Sequence, residues 1–383
     1  MYTPRPITYQ AAQLIAPQVE DLFKGKLQSA LESGTDGLAP APPRPVIEAI
    51  LDTAFWASLR REEGQSPKIS LAFLPPEQTE QPLLFEHTLS LSPGGLTKIA
   101  PGVERPGIHL GVWFEQDELR VWGTTRTVPS YCFVVDVPEP GLLVIKHRRT
   151  DGYGKFANVA VLKGDQVKLV DEYSANLPDC PEQLTSLLGL SAPSATGSTT
   201  PNVLIQLAVS MRAHKRGGTL LVVPAGSMDW QKSIVQPISY AIQPAFCALA
   251  DLMKQEEEKK KRSRWQESLR REVESIAGLT AVDGATLITD TYDLLAFGVK
   301  IGRPRGSEPV SRLLFTEPVK GTRATVIHPS QHGGTRHLSA AQFIHDQHKA
   351  LALVASQDGS FTIFAWSPCE EMVQAHRIDT LLL

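Results

Sequence analysis

The amino-acid sequence predicts an α/β protein in two parts: a C-terminal α/β domain with a central mixed sheet flanked by helices, preceded by a β-rich α+β domain. Three observations predict it. Short β-favouring runs bounded by Gly, Pro or Asp-containing turns fill the stretch from Lys68 to Glu172. Helical and strand patterns alternate after residue 200. Between them, SAPSATGSTTP (Ser191–Pro201) is small, polar and rich in breakers, the composition of an interdomain linker. The implied boundaries are a helical segment over 1–65, a β-rich domain over 66–190, the linker over 191–201 and the C-terminal domain over 202–383.

Residues Ala11 to Ser33 carry Leu14, Ile15, Val19, Leu22, Phe23, Leu27 and Leu31. That three-and-four spacing predicts an amphipathic helix, with Pro17 bending it or marking its start. LAPAPPRP (Leu38–Pro45) predicts a stiff extended connector, and Val46 to Arg61 a second helix. KISLAFL, PLLFEHTLSLS, IHLGVWF, LRVWG, YCFVVDV, GLLVIKHR, FANVAVL and QVKLVDE read as strands, mostly antiparallel. Gly164-Asp165 is a tight hairpin turn between the last two. After the linker, VLIQLAVSMRAHKRGG reads as a helix with a glycine stop, and TLLVVPAG as a buried strand entering a turn. A long helical stretch is expected from about Ile238 to Leu279. Strands ATLIT and LLAFGVKI, helix SAAQFIHDQH, and strands ALALVAS and SFTIFAWS complete the domain.

The net charge of −3 gives no general attraction to nucleic acid or an anionic membrane, so any anion site must be local. Glu256–Glu258 precede Lys259–Arg262 at helical spacing, which predicts a solvated helix rather than a nucleic-acid tail. Trp265 and Leu269 on the same helix pack or mediate dimer contacts. Cys132, Cys180, Cys247 and Cys369 show no CxxC spacing, against a disulfide framework or a thiolate zinc site. No apolar run reaches the roughly 18 residues a membrane span needs, and MYTPRPITYQ lacks the order of a signal peptide. The expected location is the cytoplasm.

Three segments in the C-terminal part carry chemistry. Asp283-Gly284-Ala285 puts a carboxylate in a tight turn, where it can hold Mg²⁺ or Mn²⁺; the same dipeptide is also an ordinary turn signal. Gly333-Gly334-Thr335-Arg336-His337 offers backbone donors, a hydroxyl, a guanidinium and an imidazole opening a helix. That is a phosphate cradle or an exposed loop with a capping threonine. Ser356-Gln357-Asp358-Gly359 places a hydroxyl and a carboxylate between two strands, and equally suits a plain hairpin turn.

The order of these segments within the helix and strand pattern, over about Thr200 to Leu383, resembles the diadenylate cyclase domain of the DisA family. In that family a DGA motif is followed by GTRHR and then SEETG. The matching residues are Asp283, Gly284 and Ala285; Gly334, Thr335, Arg336 and His337; and Ser356 and Gly359. The second arginine of GTRHR is Leu338 here. The first glutamate of SEETG is Gln357, leaving Asp358 as the nearest carboxylate. The resemblance implies condensation of two ATP to cyclic di-AMP and two pyrophosphates. It further implies Asp283 as the group that activates the ribose 3′-hydroxyl and binds Mg²⁺ or Mn²⁺, with Asp358 as a lesser metal ligand. Thr335, Arg336, His337 and Ser356 would bind the phosphates. One ATP cannot present its 3′-hydroxyl in line to its own α-phosphorus, so two such sites must face each other in a homodimer.

The front half resembles the sensor domain called DACNV, found ahead of such cyclase domains. The resemblance rests on LRVWGTTRTVPSYCFVVDVPEPGLLVIKHRR and GKFANVAVLKGDQVKLVDE. It implies a small-molecule effector. Thr124, Thr125, Arg126, His147, Arg148, Arg149 and Lys155 are candidates to gather round an anionic one, or are solvated strand ends. A catalytically quiet nucleotide-binding module acting as sensor or interaction protein is the alternative, on the strength of Leu338 and Gln357.

Overall fold

The computed structural model describes residues 6–150, 156–171, 202–255, 260 and 263–383. Lys155, the expected linker over 191–201 and most of the charged run over 256–262 lie outside the described residues. Contacts divide the chain into two compact units, Met1–Val170 with Leu383 and Asp171–Leu382. Each is a mixed α/β structure built on its own sheet.

The first unit begins with helices α1 (Gln10–Glu32) and α2 (Arg44–Ser58). Strands β1 (Ile69–Phe73) and β2 (Leu83–Ser90), helix α3 (Pro93–Val103), and strands β3 (His109–Glu115), β4 (Glu118–Thr125), β5 (Phe133–Glu139), β6 (Leu142–Arg148), β7 (Phe156–Lys163) and β8 (Gln166–Leu169) follow. They form one sheet in the order β2-β4-β3-β1-β5-β6-β7-β8, antiparallel except for the β1–β3 pair. The strand period of two sorts its side chains. Leu71, Phe73, Val135 and Val137 face a core shared with α1, α2 and α3, while Ala72, Leu74 and Val134 pack with Trp122 and Cys132 on the other face. The helices over 1–65 therefore share the core of the β-rich stretch. Tyr9 fastens them: its ring stacks on Phe55 at 3.8 Å and its hydroxyl donates to the Gly164 carbonyl at 2.6 Å, in the β7–β8 turn.

Two expectations about this unit need correction. In α1 the buried stripe is Ile15, Val19, Phe23 and Leu27, whereas Leu14 and Leu31 are each 67 % exposed. The helix also runs through Pro17. Helix α3 was unforeseen because Gly94, Gly95, Pro101 and Gly102 read as breakers. Pro93 opens it, where a missing N–H costs nothing, and the Ser92 hydroxyl caps it by accepting from Gly95 N.

The second unit contains α4 (Val203–Ala213), β9 (Gly218–Val223), β10 (Tyr240–Phe246), α5 (Ala248–Met253), α6 (Ser263–Leu279), β11 (Ala285–Thr289), β12 (Leu294–Val299), β13 (Leu313–Thr316), β14 (Thr325–Ile327), α7 (Thr335–Asp346), β15 (Leu351–Ala355), β16 (Phe361–Ser367) and β17 (Met372–Arg377). Its sheet has the order β10-β12-β11-β9-β15-β16-β17-β13-β14 and mixes parallel with antiparallel pairs. Helices cover both faces. Leu220, Val222, Leu353 and Ile363 pack with α4 and α6, and Leu221, Val223, Val354 and Phe364 with α7. Trp265 and Leu269 are buried in the first of these cores.

The long helix expected over Ile238–Leu279 is corrected as well. Tyr240–Phe246 is the edge strand β10, and the helical part divides into α5 and α6. Pro244 explains the start: it denies a helix one amide and crowds the preceding turn, whereas an edge strand tolerates it.

Candidate functional site

The three motif segments of the second unit meet at one end of its sheet. Strands β9 and β11 run parallel, with Ala285 beside Thr219. Asp283 and Gly217 each stand two residues ahead of that pair, on strands a single ladder spacing of roughly 4.8 Å apart. Strand β15 runs antiparallel to β9 and ends there, Ala355 opposite Gly218, so the Ser356–Ser360 turn into β16 emerges at the same place. Helix α7 starts above it. The Arg336 guanidinium reaches to 3.3 Å from the point where a side chain at Gly217 would begin, and Gln357 Cγ lies 3.4 Å from that point. Arg336, Gln357 and the Ala355 carbonyl, at 3.3 Å, thus crowd the flank of Gly217, while the strand register brings Asp283 and Ser356 to the same end of the sheet.

Among the described residues the Asp283 carboxylate, the Arg336 guanidinium and the Thr335 hydroxyl, all exposed, have no hydrogen-bond or ion-pair partner. Gly334 caps α7 without a side-chain bond, and its carbonyl accepts from His337 N at 3.0 Å, which leaves the Thr335 and Arg336 amides as the first-turn donors without a helical partner. Gly284 and Ala285 serve packing. A side chain at Gly284 would strike the Gly298–Val299 backbone at 2.6 to 2.9 Å, and Ala285 is buried beneath the sheet.

His337 turns the other way. It is 5 % exposed, packs edge-on against His332 at 5.2 Å, and lies close against Gly333. Burial is the main cause holding its imidazole below the ordinary histidine range; Asp358 opposes that shift, while Arg377 and Arg336 add to it. His332 is pushed down to about 4, chiefly by burial and then by His337. Asp358 is turned into its own loop, where it accepts from Ser360 N at 3.0 Å and Ser360 Oγ at 2.6 Å. Leu338, in the place of the second arginine, is 42 % exposed. Gln357 donates to the Arg216 carbonyl at 3.4 Å and so ties the β15–β16 turn to the Lys215–Gly217 turn before β9.

That basic turn, His214-Lys215-Arg216, escaped notice in the sequence, where it reads as the end of a helix. Its signal is the glycine pair that follows. Gly217 adopts a φ of +71° and Gly218 leaves no room for a side chain against Thr280, so the chain must turn here and present Arg216 beside the motif residues.

In the first unit the proposed effector residues come from strands that are not neighbours in the sheet. Strands β3, β1 and β5 lie between β4, which leads to Arg126, and β6, which carries His147 and Arg148. His147 is buried, its ring edge-on to Phe23, and burial pushes it down to about 4. Arg148 donates to the Val128 carbonyl and Arg149 to the Phe156 carbonyl at 3.4 Å. Thr124, Thr125 and Arg126 line a cavity of about 820 Å³ between β2, the end of α3 and the end of β4.

Residues 36–126 match the sequence profile of the family described as "Probable sensor domain DACNV". The match covers the cavity wall up to Arg126 and only the first residues of the run that suggested the likeness. No curated protein matches the chain. A solved structure described as a hypothetical membrane spanning protein from Bacillus cereus is similar at 15 % identity, over 53 % of this chain and 73 % of that one, with a TM-score of 0.28. That likeness is too low to carry an argument. No helix among the described residues is long and apolar enough to cross a membrane.

Proposed function

We propose that the protein is a sensor-regulated diadenylate cyclase: the first unit reads an effector and the second condenses two ATP to cyclic di-AMP and two pyrophosphates. One observation supports the catalytic half: the Asp283 carboxylate and the Arg336 guanidinium, both without a hydrogen-bond or ion-pair partner among the described residues, come from segments far apart in the chain to the same end of the sheet. An exposed unpaired guanidinium beside the start of a helix suits a ligand bearing phosphate, and an exposed carboxylate suits one bearing a hydroxyl.

In this reading Arg336, Thr335 and the first amides of α7 hold the triphosphate. Asp283 takes the proton of the ribose 3′-hydroxyl as its oxygen bonds to the α-phosphorus of the opposing nucleotide, and the α–β bridge breaks to release pyrophosphate. Two chains must present their sites face to face. Among the described residues no three His, Cys, Asp or Glu side chains are assembled to hold a metal. Asp283 nonetheless fits a Mg²⁺ or Mn²⁺ ion that takes its remaining ligands from phosphate and water, the common arrangement for Mg²⁺. Such an ion would neutralise phosphate charge.

Burial of His337, the apolar Leu338 and the engagement of Gln357 by the Arg216 carbonyl favour a second reading, a nucleotide-binding sensor without turnover. Incubation with ATP and Mn²⁺ followed by chromatography separates the two. The expected result is cyclic di-AMP, lost in Asp283→Asn with the fold intact. ATP binding without product would leave only the second reading.

A further inference from the structure

The cavity of the first unit has a composition that defines its ligand more narrowly than the word sensor does. Its body is apolar: Leu83 and Phe85 of β2, Ile99 and Val103 of α3, and Ile108 contribute to the wall. Its charged groups lie on the solvent side, as does Leu83, while Thr125 is buried in the wall. Arg105 and Arg126 are exposed, and among the described residues neither guanidinium has a carboxylate within ion-pairing distance. Glu80 is the one carboxylate in the lining.

The solvent side is also braced. The Thr79 and Thr125 hydroxyls are hydrogen-bonded, Thr79 Oγ1 donates to the Thr127 carbonyl at 2.9 Å, and the Thr127 hydroxyl accepts from Glu80 N at 3.0 Å while donating to Glu80 O at 3.2 Å. These bonds fix the segment that carries Arg126, so its cation is presented rather than loose.

We propose that this cavity binds an amphipathic monoanion, a carboxylate or sulfonate head on an apolar body, with the head on Arg105 and Arg126. Size excludes the bare ion. A volume of about 820 Å³ lies within the range of small-molecule pockets, whereas an inorganic anion would leave the apolar walls wet. Two guanidiniums and one carboxylate sum to a single positive charge, which matches a singly charged head better than a polyphosphate. Guanidinium forks match the planar or tetrahedral oxygens of such a head, and the aliphatic walls match its tail.

The inference rests on the sensor reading of residues 36–126 and not on cyclase chemistry, so its failure and the failure of the ATP assay are distinguishable. The test uses the full chain with anilinonaphthalene sulfonate, an aromatic monoanion whose fluorescence rises on transfer from water. The expected result is saturable binding, displaced by decanoate but by neither decanol nor inorganic phosphate. The double variant Arg105→Gln, Arg126→Gln should raise the dye Kd about tenfold or more, the scale of losing charge-assisted bonds. Ile99→Trp, which fills the apolar end, should remove the dye while the circular dichroism of the chain is unchanged. Absence of saturable binding, displacement by decanol as readily as by decanoate, or an unchanged Kd in the double arginine variant would overturn the proposal.

Discussion

Asp283 and Gly284 are neighbours with separate duties. The carboxylate is exposed and has no hydrogen-bond or ion-pair partner among the described residues, while the glycine admits the β12 backbone to where any side chain would stand. Its φ of +105° adds a backbone cost for other residues. Gly284→Ala is therefore expected to lose about 1–3 kcal/mol of stability, the scale of overpacking against rigid atoms, read as a lower Tm. Arg336→Gln should show the opposite profile. Among the described residues its guanidinium has no partner to strand, so Tm should hold, while ATP affinity measured by calorimetry falls about tenfold or more through loss of charge-assisted bonds. A lowered Tm with unchanged ATP affinity would move Arg336 out of the site. The motif residues were legible in the sequence because their chemistry is residue-specific. The burial of His337 was legible too, but in a different pattern. With Ala340, Ala341 and Ile344 it lies on the i, i+3, i+4, i+7 stripe of α7, whereas Thr335, Arg336 and Leu338 lie off it. Arg216 was hidden because its place depends on strand pairing across the sheet, which no local pattern records.

Among elements, β2 shows how an edge strand can be held too close for comfort by one glycine. Leu83 pairs with Thr124 and Leu84 with Gly123, and a β-carbon on Gly123 would sit 2.0 Å from the Leu83 carbonyl oxygen. Since Leu83 and Phe85 wall the cavity, Gly123→Ala should push β2 away and deform it. The expected outcome is a dye Kd raised severalfold with only a modest fall in Tm, because most of β2 is not buried. Intact dye binding would place the ligand elsewhere. The same element scale separates what sequence patterns reveal from what they conceal. The eight strands of the first unit were readable because alternation and turn residues coincide. Strand β10 was not, because Pro237 and Pro244 mask a run that only an edge position makes possible. Helix α3 was concealed by its own glycines, which serve it at the first turn, where Gly95 N reaches the Ser92 hydroxyl. In α1 the spacing announced a helix yet could not say which of seven apolar residues face inward. Leu14 and Leu31 sit outside because two helices and a sheet cover only one side.

The molecule as a whole keeps several histidines neutral in its interior, and this sets how it answers acid. His147 in the first unit and His376 in the second are 4 % and 1 % exposed, and burial is the first cause pushing each down to about 4. The protonated form of His376 would be poorly served, since its Nδ1 is engaged with the Thr316 hydroxyl at 2.6 Å and its Nε2 has no partner among the described residues. In an unfolded chain both would titrate near the ordinary value of about 6.5. Between that value and about 4 the unfolded state therefore binds more protons than the folded one, so stability falls as pH falls through this window and is fully present above it. Each group contributes on the order of 3 kcal/mol at full protonation of the unfolded chain. The first unit holds one such group and the second holds two, His376 and His332, so both units should weaken on acidification. Thermal unfolding should be nearly constant from pH 8 to pH 7 and decline steadily towards pH 4. His376→Gln is expected to be less stable at neutral pH, through loss of packing, yet to lose less on acidification because the side chain can take up no proton. If the variant and the parent decline in parallel, the buried imidazole of His376 is not what the acid attacks.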